Sequence, residues 1–217
     1  MSQPVISAFD WVPAFARGQV RDLRVRWACE EMGVGYDTQL YDARQPRDAD
    51  YKAWQPFGQV PALRDGDVEV SETGALLLSL AETHGELLPR EGQARWSAIS
   101  WLFAALSSIE PFLLELVIIG VFHEDKPWSA AALEPQERLA RSKLTDLSAA
   151  LGDREWLAGE FSIADIMMVT VLRLLDHTDM LEEWPNLAAY RRRGMDRPAF
   201  RRAFDAQCAD FKPLEGE

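Results

Sequence analysis

Around His84–Gly92 the chain changes character. Gly85, Pro89 and Gly92 fall close together there, a spacing that interrupts helix and strand alike. Before it, β-type runs alternate with helical ones. Val5–Ala8 reads as a strand, and Gly18–Met32 as a long helix stopped by Gly33. Tyr36–Leu40 reads as a second strand, and Asp42–Trp54 as a polar stretch holding one short helix. Val60–Arg64 and Val68–Val70 read as strands joined at Asp65-Gly66, followed by a helix over Thr73–Thr83 that closes near Gly85. The order is βαβ, then ββα, which predicts a small mixed sheet with helices on its faces. After the break the apolar spacing is helical throughout. Helices are expected over Gln93–Phe122 with a kink at Pro111, from Pro135 to Leu151, over Ser162–Asp176, and over Pro185–Gly194 and Pro198–Ala209. The predicted organisation is therefore an α/β domain over 1–84, a linker over 85–92 and an all-helical bundle domain over 93–217.

At 217 residues the chain can bury a core without disulfide or metal staples. Its net charge of −12 argues against nucleic acid or a membrane surface as partner. The longest apolar run, Phe112–Phe122, is broken by Glu115 and reads as a buried core helix rather than a membrane span. Met1–Asp10 has no basic segment followed by an apolar one, so no secretory signal is expected. Cys29 and Cys208 fit neither a zinc spacing nor a CxxC pair and read as reduced thiols of a cytoplasmic protein. His84, His123 and His177 are scattered, and no metal site is expected from them.

Two segments carry a more specific signal. In Gly58-Gln59-Val60-Pro61-Ala62-Leu63 a proline stands at the mouth of a strand. If Pro61 is cis, the backbone N–H and C=O of Val60 face outward, and a short peptide can pair with them as an added strand. If it is trans, it simply opens an edge strand. In Ser71-Glu72-Thr73 a hydroxyl and a carboxylate precede a helix. The Thr73 hydroxyl and the Glu72 carboxylate can bracket a ligand bearing a carboxylate and an ammonium group at the helix N-terminus, or Ser71 or Thr73 can be a plain cap on the first-turn amides.

Taken together, Gln55-Pro56-Phe57-Gly58-Gln59-Val60-Pro61-Ala62-Leu63, the hairpin, and Glu72-Thr73 before an apolar helix resemble the glutathione-binding half of the cytosolic glutathione transferases. Gly159-Glu160-Phe161-Ser162-Ile163-Ala164-Asp165 is similar to that family's helix-capping element, in which Ser162 caps a buried helix and Asp165 bonds back to its start. Trp184-Pro185-Asn186-Leu187 and Arg197-Pro198 also match, in the family's order. The resemblance implies a thioredoxin-like first domain, a helical second domain and a homodimer. It implies glutathione as co-substrate with no bound cofactor, held at Gln59, Val60, Pro61, Glu72 and Thr73. The implied reaction is attack of the glutathione thiolate on a hydrophobic electrophile.

The resemblance breaks where the chemistry lies. The family usually places a tyrosine, serine or cysteine in the loop after the first strand. Phe9-Asp10-Trp11-Val12-Pro13-Ala14-Phe15-Ala16-Arg17-Gly18-Gln19-Val20 contains none of these. Arg17, with its fixed charge and five donors before the first long helix, is the candidate for stabilising a thiolate, assisted by backbone amides of Ala16–Gly18. A purely structural arginine paired with an acid is the alternative. Ser7 lies inside the first strand, and Cys29 deep in the helix, so neither is a candidate nucleophile partner. Arg44, Arg47 and Lys52 are either contacts for a carboxylate or solvated surface charges. Phe9, Trp11, Phe15 and Phe112 are the candidate pocket for an apolar second substrate. Absence of the usual hydroxyl keeps a second function open: a glutathione-binding or ligand-sequestering protein of weak catalysis.

Overall fold

The computed structural model describes residues 3–213; the first two positions and the last four of the expected domains lie outside it. The chain forms two compact units. One comprises the residues up to Leu88 together with those from Asp196 onward; the other is Pro89–Met195.

The first unit is built on a four-stranded sheet of order β2-β1-β3-β4. Strand β1 (Val5–Trp11) leads through α1 (Asp22–Met32) to β2 (Asp37–Asp42), which pairs with it in parallel, Val5 opposite Asp37. A short α2 (Ala49–Trp54) follows. The hairpin of β3 (Ala62–Asp65) and β4 (Val68–Ser71) then adds antiparallel to β1, with Ile6 opposite Leu63 and Ala62 opposite Ser71. Helix α3 (Thr73–His84) completes the βαβ-ββα order. Two glycines end helices as their positions predict. Gly33 and Gly85 sit at φ 65° and 76°, and their N–H groups return to Cys29 and Ala81. Ile6 and Ala8 of β1, Leu23 and Trp27 of α1, and Leu76, Leu77 and Leu80 of α3 are fully buried around the sheet.

Helix α1 begins at Asp22, later than the expected Gly18. The chain makes a 3₁₀ turn over Ala14–Ala16 and holds Gly18 at φ 75°, outside helical space. A Cβ at Gly18 would lie 2.3 Å from the Phe204 ring, so this position needs glycine twice over. The hairpin turn also sits one residue later than expected: Asp65 completes β3, and Gly66 takes the left-handed position at φ 61°.

The helical unit contains α4 (Gly92–Ala104), α5 (Glu110–Val117), α6 (Ser129–Leu151), α7 (Ile163–Leu172) and α8 (Pro185–Met195). A π turn over Ala105–Ile109 joins α4 to α5 immediately before Pro111. Proline has no N–H and its ring crowds the preceding turn, so the ladder widens there rather than breaking. The helix from Gly92 to Phe122, including its π turns, is 31 residues long with a mean hydropathy of 2.0 over its most apolar window. By length and composition alone it is long and apolar enough to cross a membrane, unlike the Phe112–Phe122 run taken by itself. Here Ala98, Leu102, Ala105, Ile109, Leu113 and Leu116 bury one face in the helical unit. Trp96 of the same helix is 63% exposed. Helix α6 starts at Ser129, so Pro135 lies within it rather than opening it.

Every residue of α7 is buried, and its start carries the capping box expected at Ser162 and Asp165. Asp165 does more than cap. Its Oδ1 accepts from Leu157 N–H (3.0 Å) and from Tyr190 O–H (2.8 Å), and its Oδ2 accepts from Ser162 N–H (2.9 Å).

The last helix, α9 (Pro198–Asp210), was expected within the helical domain but packs on α1 in the first unit. The reason is visible in the contacts. Phe200 meets Trp27 edge to face at 5.0 Å, Arg197 holds the Glu31 carboxylate with two bonds (2.5 and 2.7 Å), and Arg202 bonds Glu30 (2.6 Å).

Candidate functional site

Strand registers bring three separated segments to one end of the sheet. The β3–β4 ladder ends at the Ala62–Ser71 pair, so the next residues outward are Pro61 and Glu72. Because β3 runs antiparallel to β1, this is also the end at which β1 terminates in Trp11 and the loop carrying Arg17. The candidate peptide segment, the candidate helix-start segment and the start of the candidate catalytic loop thereby lie at one end of one sheet.

The Val60–Pro61 peptide bond is cis. Val60 is 7% exposed and packs with Tyr51, Trp54 and Ala62, with Phe9, Val20 and Tyr41 against that cluster. Gln59 is exposed; its N–H donates to the Gln55 side-chain carbonyl (3.0 Å), and its own carbonyl accepts from the Tyr51 hydroxyl (2.5 Å). Burial raises the Tyr51 phenol above its ordinary range, so near neutral pH it is a donor.

Glu72 precedes α3 with φ 70° and ψ 118° and makes no side-chain cap bond. Left-handed φ at a non-glycine residue is uncommon and clusters at functional sites. Glu72 is exposed at the helix start, while Thr73 behind it is 8% exposed.

Arg17 ends the 3₁₀ turn of the loop. Among the described residues its hydrogen-bond partner is a backbone carbonyl and not an acid. One terminal guanidinium nitrogen donates to the Lys212 carbonyl, and the group lies 5.6 Å from the Phe211 ring centroid. Its buried Nε has no hydrogen-bond partner among the described residues. The same C-terminal segment holds the end of β1: Lys212 N–H donates to the Asp10 carbonyl (2.7 Å), and Lys212 Nζ meets the Asp10 carboxylate at 2.5 Å. The expectation for the neighbouring amides needs correction. Ala16 N–H and Arg17 N–H are spent on Pro13 and Ala14 within the turn, at 2.9 and 3.2 Å.

The apolar candidates are spread out. Phe15 is 54% exposed on the loop, and Phe9 is partly buried beneath Arg47, 5.5 Å from its ring centroid. Trp11 lies under Arg44 at 4.2 Å. Phe112 belongs to the helical unit, where its ring carries Lys143 at 5.1 Å. Its neighbours Ile109 and Leu113 are core residues of that unit. Arg44 is paired with Asp42 (2.7 Å), a bond that holds the Asp42 carboxyl at a pKa of about 2, and Arg47 donates to the Asp42 carbonyl (2.5 Å). Lys52 remains exposed.

Sequence reasoning missed Ser7, Tyr51, Phe211 and Lys212. Ser7, set aside as a thiolate partner because it lies inside the first strand, is fully buried, and its hydroxyl bonds both Tyr51 (2.8 Å) and Ala62 N–H (2.7 Å). An alternation of small and apolar residues in β1 marks Ser7 only as an inward-facing position. Nothing local marks Phe211 and Lys212.

Comparisons with known proteins identify the family. Residues 23–83 match the model of the glutathione S-transferase N-terminal domain, and residues 130–193 that of the C-terminal domain. Glutathione S-transferase F10 of Arabidopsis thaliana is 34% identical over 146 residues, covering 63% of this chain and 67% of its own length. Glutathione S-transferase 4 of Zea mays is 26% identical over nearly all of both chains, 99% and 96%. A glutathione transferase family member from Pseudomonas fluorescens, solved with two glutathione bound, has the same fold. Its TM-score is 0.83 at 22% identity, covering 93% of this chain and 92% of that one. The chain belongs to the glutathione S-transferase family. Its class is unresolved, since the loop that distinguishes the classes carries none of their usual hydroxyl or thiol groups.

Proposed function

We propose that this glutathione S-transferase binds glutathione along the Val60–Pro61 and Glu72–Thr73 edge and transfers its sulfur to a hydrophobic electrophile. The observation that carries the binding site is the β3–β4 register, which sets the cis Val60–Pro61 segment beside the left-handed Glu72. The cysteinyl backbone of glutathione pairs with Val60 as a one-residue added strand. The γ-glutamyl end, with its ammonium and carboxylate, lies at Glu72, Thr73 and the α3 N-terminus, where opposite charges and helix amides meet it. Gln59 borders the peptide.

Catalysis requires that the thiol lose its proton at neutral pH. The candidate for stabilising the thiolate is Arg17, a permanent cation on the loop after β1. The thiolate then forms a carbon–sulfur bond to the electrophile. In a substitution the leaving group departs with the bonding electron pair; in an addition the electrons move onto the acceptor and are quenched by a proton from water. Phe9, Trp11 and Phe15 supply apolar surface near that loop. A cytoplasmic homodimer belongs to the same reading.

The missing hydroxyl favours one competing function, in which the protein holds glutathione or its conjugates without activating the thiol. Titrating reduced glutathione calorimetrically in buffers of different ionisation enthalpy separates the two. Proton release on binding is expected for the transferase, and its absence favours sequestration. Arg17→Ala is expected to keep binding while losing proton release and on the order of a hundredfold in turnover. An unchanged rate removes Arg17 from the mechanism.

A further inference from the structure

Behind the Val60–Pro61 segment lies a buried chain of hydroxyls in which every proton is assigned. Ala62 N–H donates to Ser7 Oγ (2.7 Å), Ser7 Oγ and Tyr51 OH are 2.8 Å apart, and Tyr51 OH donates to the Gln59 carbonyl (2.5 Å). A carbonyl only accepts, so the single phenol proton goes to Gln59. Ser7 must then donate to the Tyr51 oxygen while its own lone pair takes the Ala62 proton. The direction is fixed from one end to the other: Ala62 to Ser7 to Tyr51 to Gln59. Both hydroxyls are out of water, Ser7 at 0% and Tyr51 at 3% exposure.

The two ends of this chain grip the residues on either side of Val60–Pro61. The Gln59 carbonyl and the Val60 N–H belong to one planar trans peptide, so they point in opposite directions. Holding the carbonyl inward aims the Val60 N–H outward, and drawing electron density from the carbonyl strengthens that N–H as a donor. Ala62 N–H, held by Ser7, fixes the peptide that follows Pro61 in the same way. Tyr51 itself is set by the start of α2, where Asp48 Oδ1 accepts its N–H (2.8 Å), and by the Tyr41 ring at 4.5 Å.

We propose that Ser7 and Tyr51 are positioning residues for peptide recognition, whose hydroxyls aim the Val60 N–H at the bound thiol peptide. This rests on the reading that glutathione pairs with Val60. Neither residue touches the sulfur, so both act on how tightly the peptide is held and not on how acidic its thiol becomes.

Tyr51→Phe removes the phenol oxygen and keeps the ring. It is expected to weaken glutathione and S-methylglutathione equally, by about two- to tenfold in Kd, the range for loss of one hydrogen bond. Protons released per glutathione bound, and kcat at saturating glutathione, should stay at the wild-type value while KM rises. Ser7→Ala should give a similar loss, and the double variant little more than either alone, because the two hydroxyls work in series. Circular dichroism of each apo variant establishes that it is folded, and Ser7→Ala serves if Tyr51→Phe does not fold. Wild-type affinity in folded Tyr51→Phe, or a loss confined to kcat, overturns the proposal while leaving the glutathione site intact. No binding by the wild-type protein overturns both.

Discussion

Replacing Asp165 by alanine tests whether the capping carboxylate organises the helical unit. Its two oxygens accept from Leu157 N–H, Tyr190 O–H, Ser162 N–H and Ser162 O–H, at 2.8 to 3.2 Å, and the residue is fully buried. Alanine leaves two backbone donors, a serine hydroxyl and a phenol without that acceptor where water does not reach. Each such orphan costs about 1–3 kcal/mol. Removing the buried carboxylate gives part of that back, because burial works against its charge and raises its pKa from the ordinary value. The net expectation is a loss of about 3–5 kcal/mol, the usual range for breaking a buried charged network. For a chain of this size that lowers the melting midpoint by about 6–20 °C. Asp165→Asn keeps a carbonyl for Leu157 and Tyr190 but turns an amide N–H₂ toward Ser162 N–H, so it should fall between wild type and alanine. Tyr190→Phe removes one donor only and should cost about 1 kcal/mol. Urea denaturation followed by tryptophan fluorescence measures the series. A loss below about 1 kcal/mol for Asp165→Ala would refute the reasoning, since one ordinary surface hydrogen bond would then account for it.

Two further expectations concern the first unit. Burial pushes the Cys29 thiol up to about 12, and the residue is inaccessible, whereas Cys208 is partly exposed. Iodoacetamide at pH 8 should therefore label the native protein once, at Cys208, and Cys29→Ala should retain full turnover; labelling of Cys29 in the native state would contradict its core placement. Gly18→Ala should destabilise by about 2–3 kcal/mol, from left-handed strain plus displacement of the Phe204 ring, and a melting curve matching wild type would show that the ring moves freely.

Much of the fold is legible in short stretches of sequence because the bonds that specify it are short. Gly33 and Gly85 close the turn that immediately precedes them, and Ser162 and Asp165 satisfy amides within one helical turn. The Val60–Pro61 and Glu72–Thr73 segments are legible for a related reason: each is a local departure from regular structure, at a proline or before a helix, and its residue types announce it. The start of α1 is not legible in that way. The residues from Gly18 to Arg21 are acceptable in a helix, yet Gly18 takes a left-handed φ with the Phe204 ring where a Cβ would stand.

What only the tertiary structure decides lies across long separations. Ser7 and Tyr51 are 44 residues apart, and nothing in either neighbourhood selects the other as partner. Arg17 and Lys212 are 195 apart, so the anchoring of the candidate catalytic loop by the C-terminal segment depends on α9 first docking on α1. Composition and periodicity determine that α9 is amphipathic, but not which apolar surface receives it. That choice is made by shape and by the Arg197 and Arg202 ion pairs, and hydrophobic burial alone, being non-directional, could not have made it.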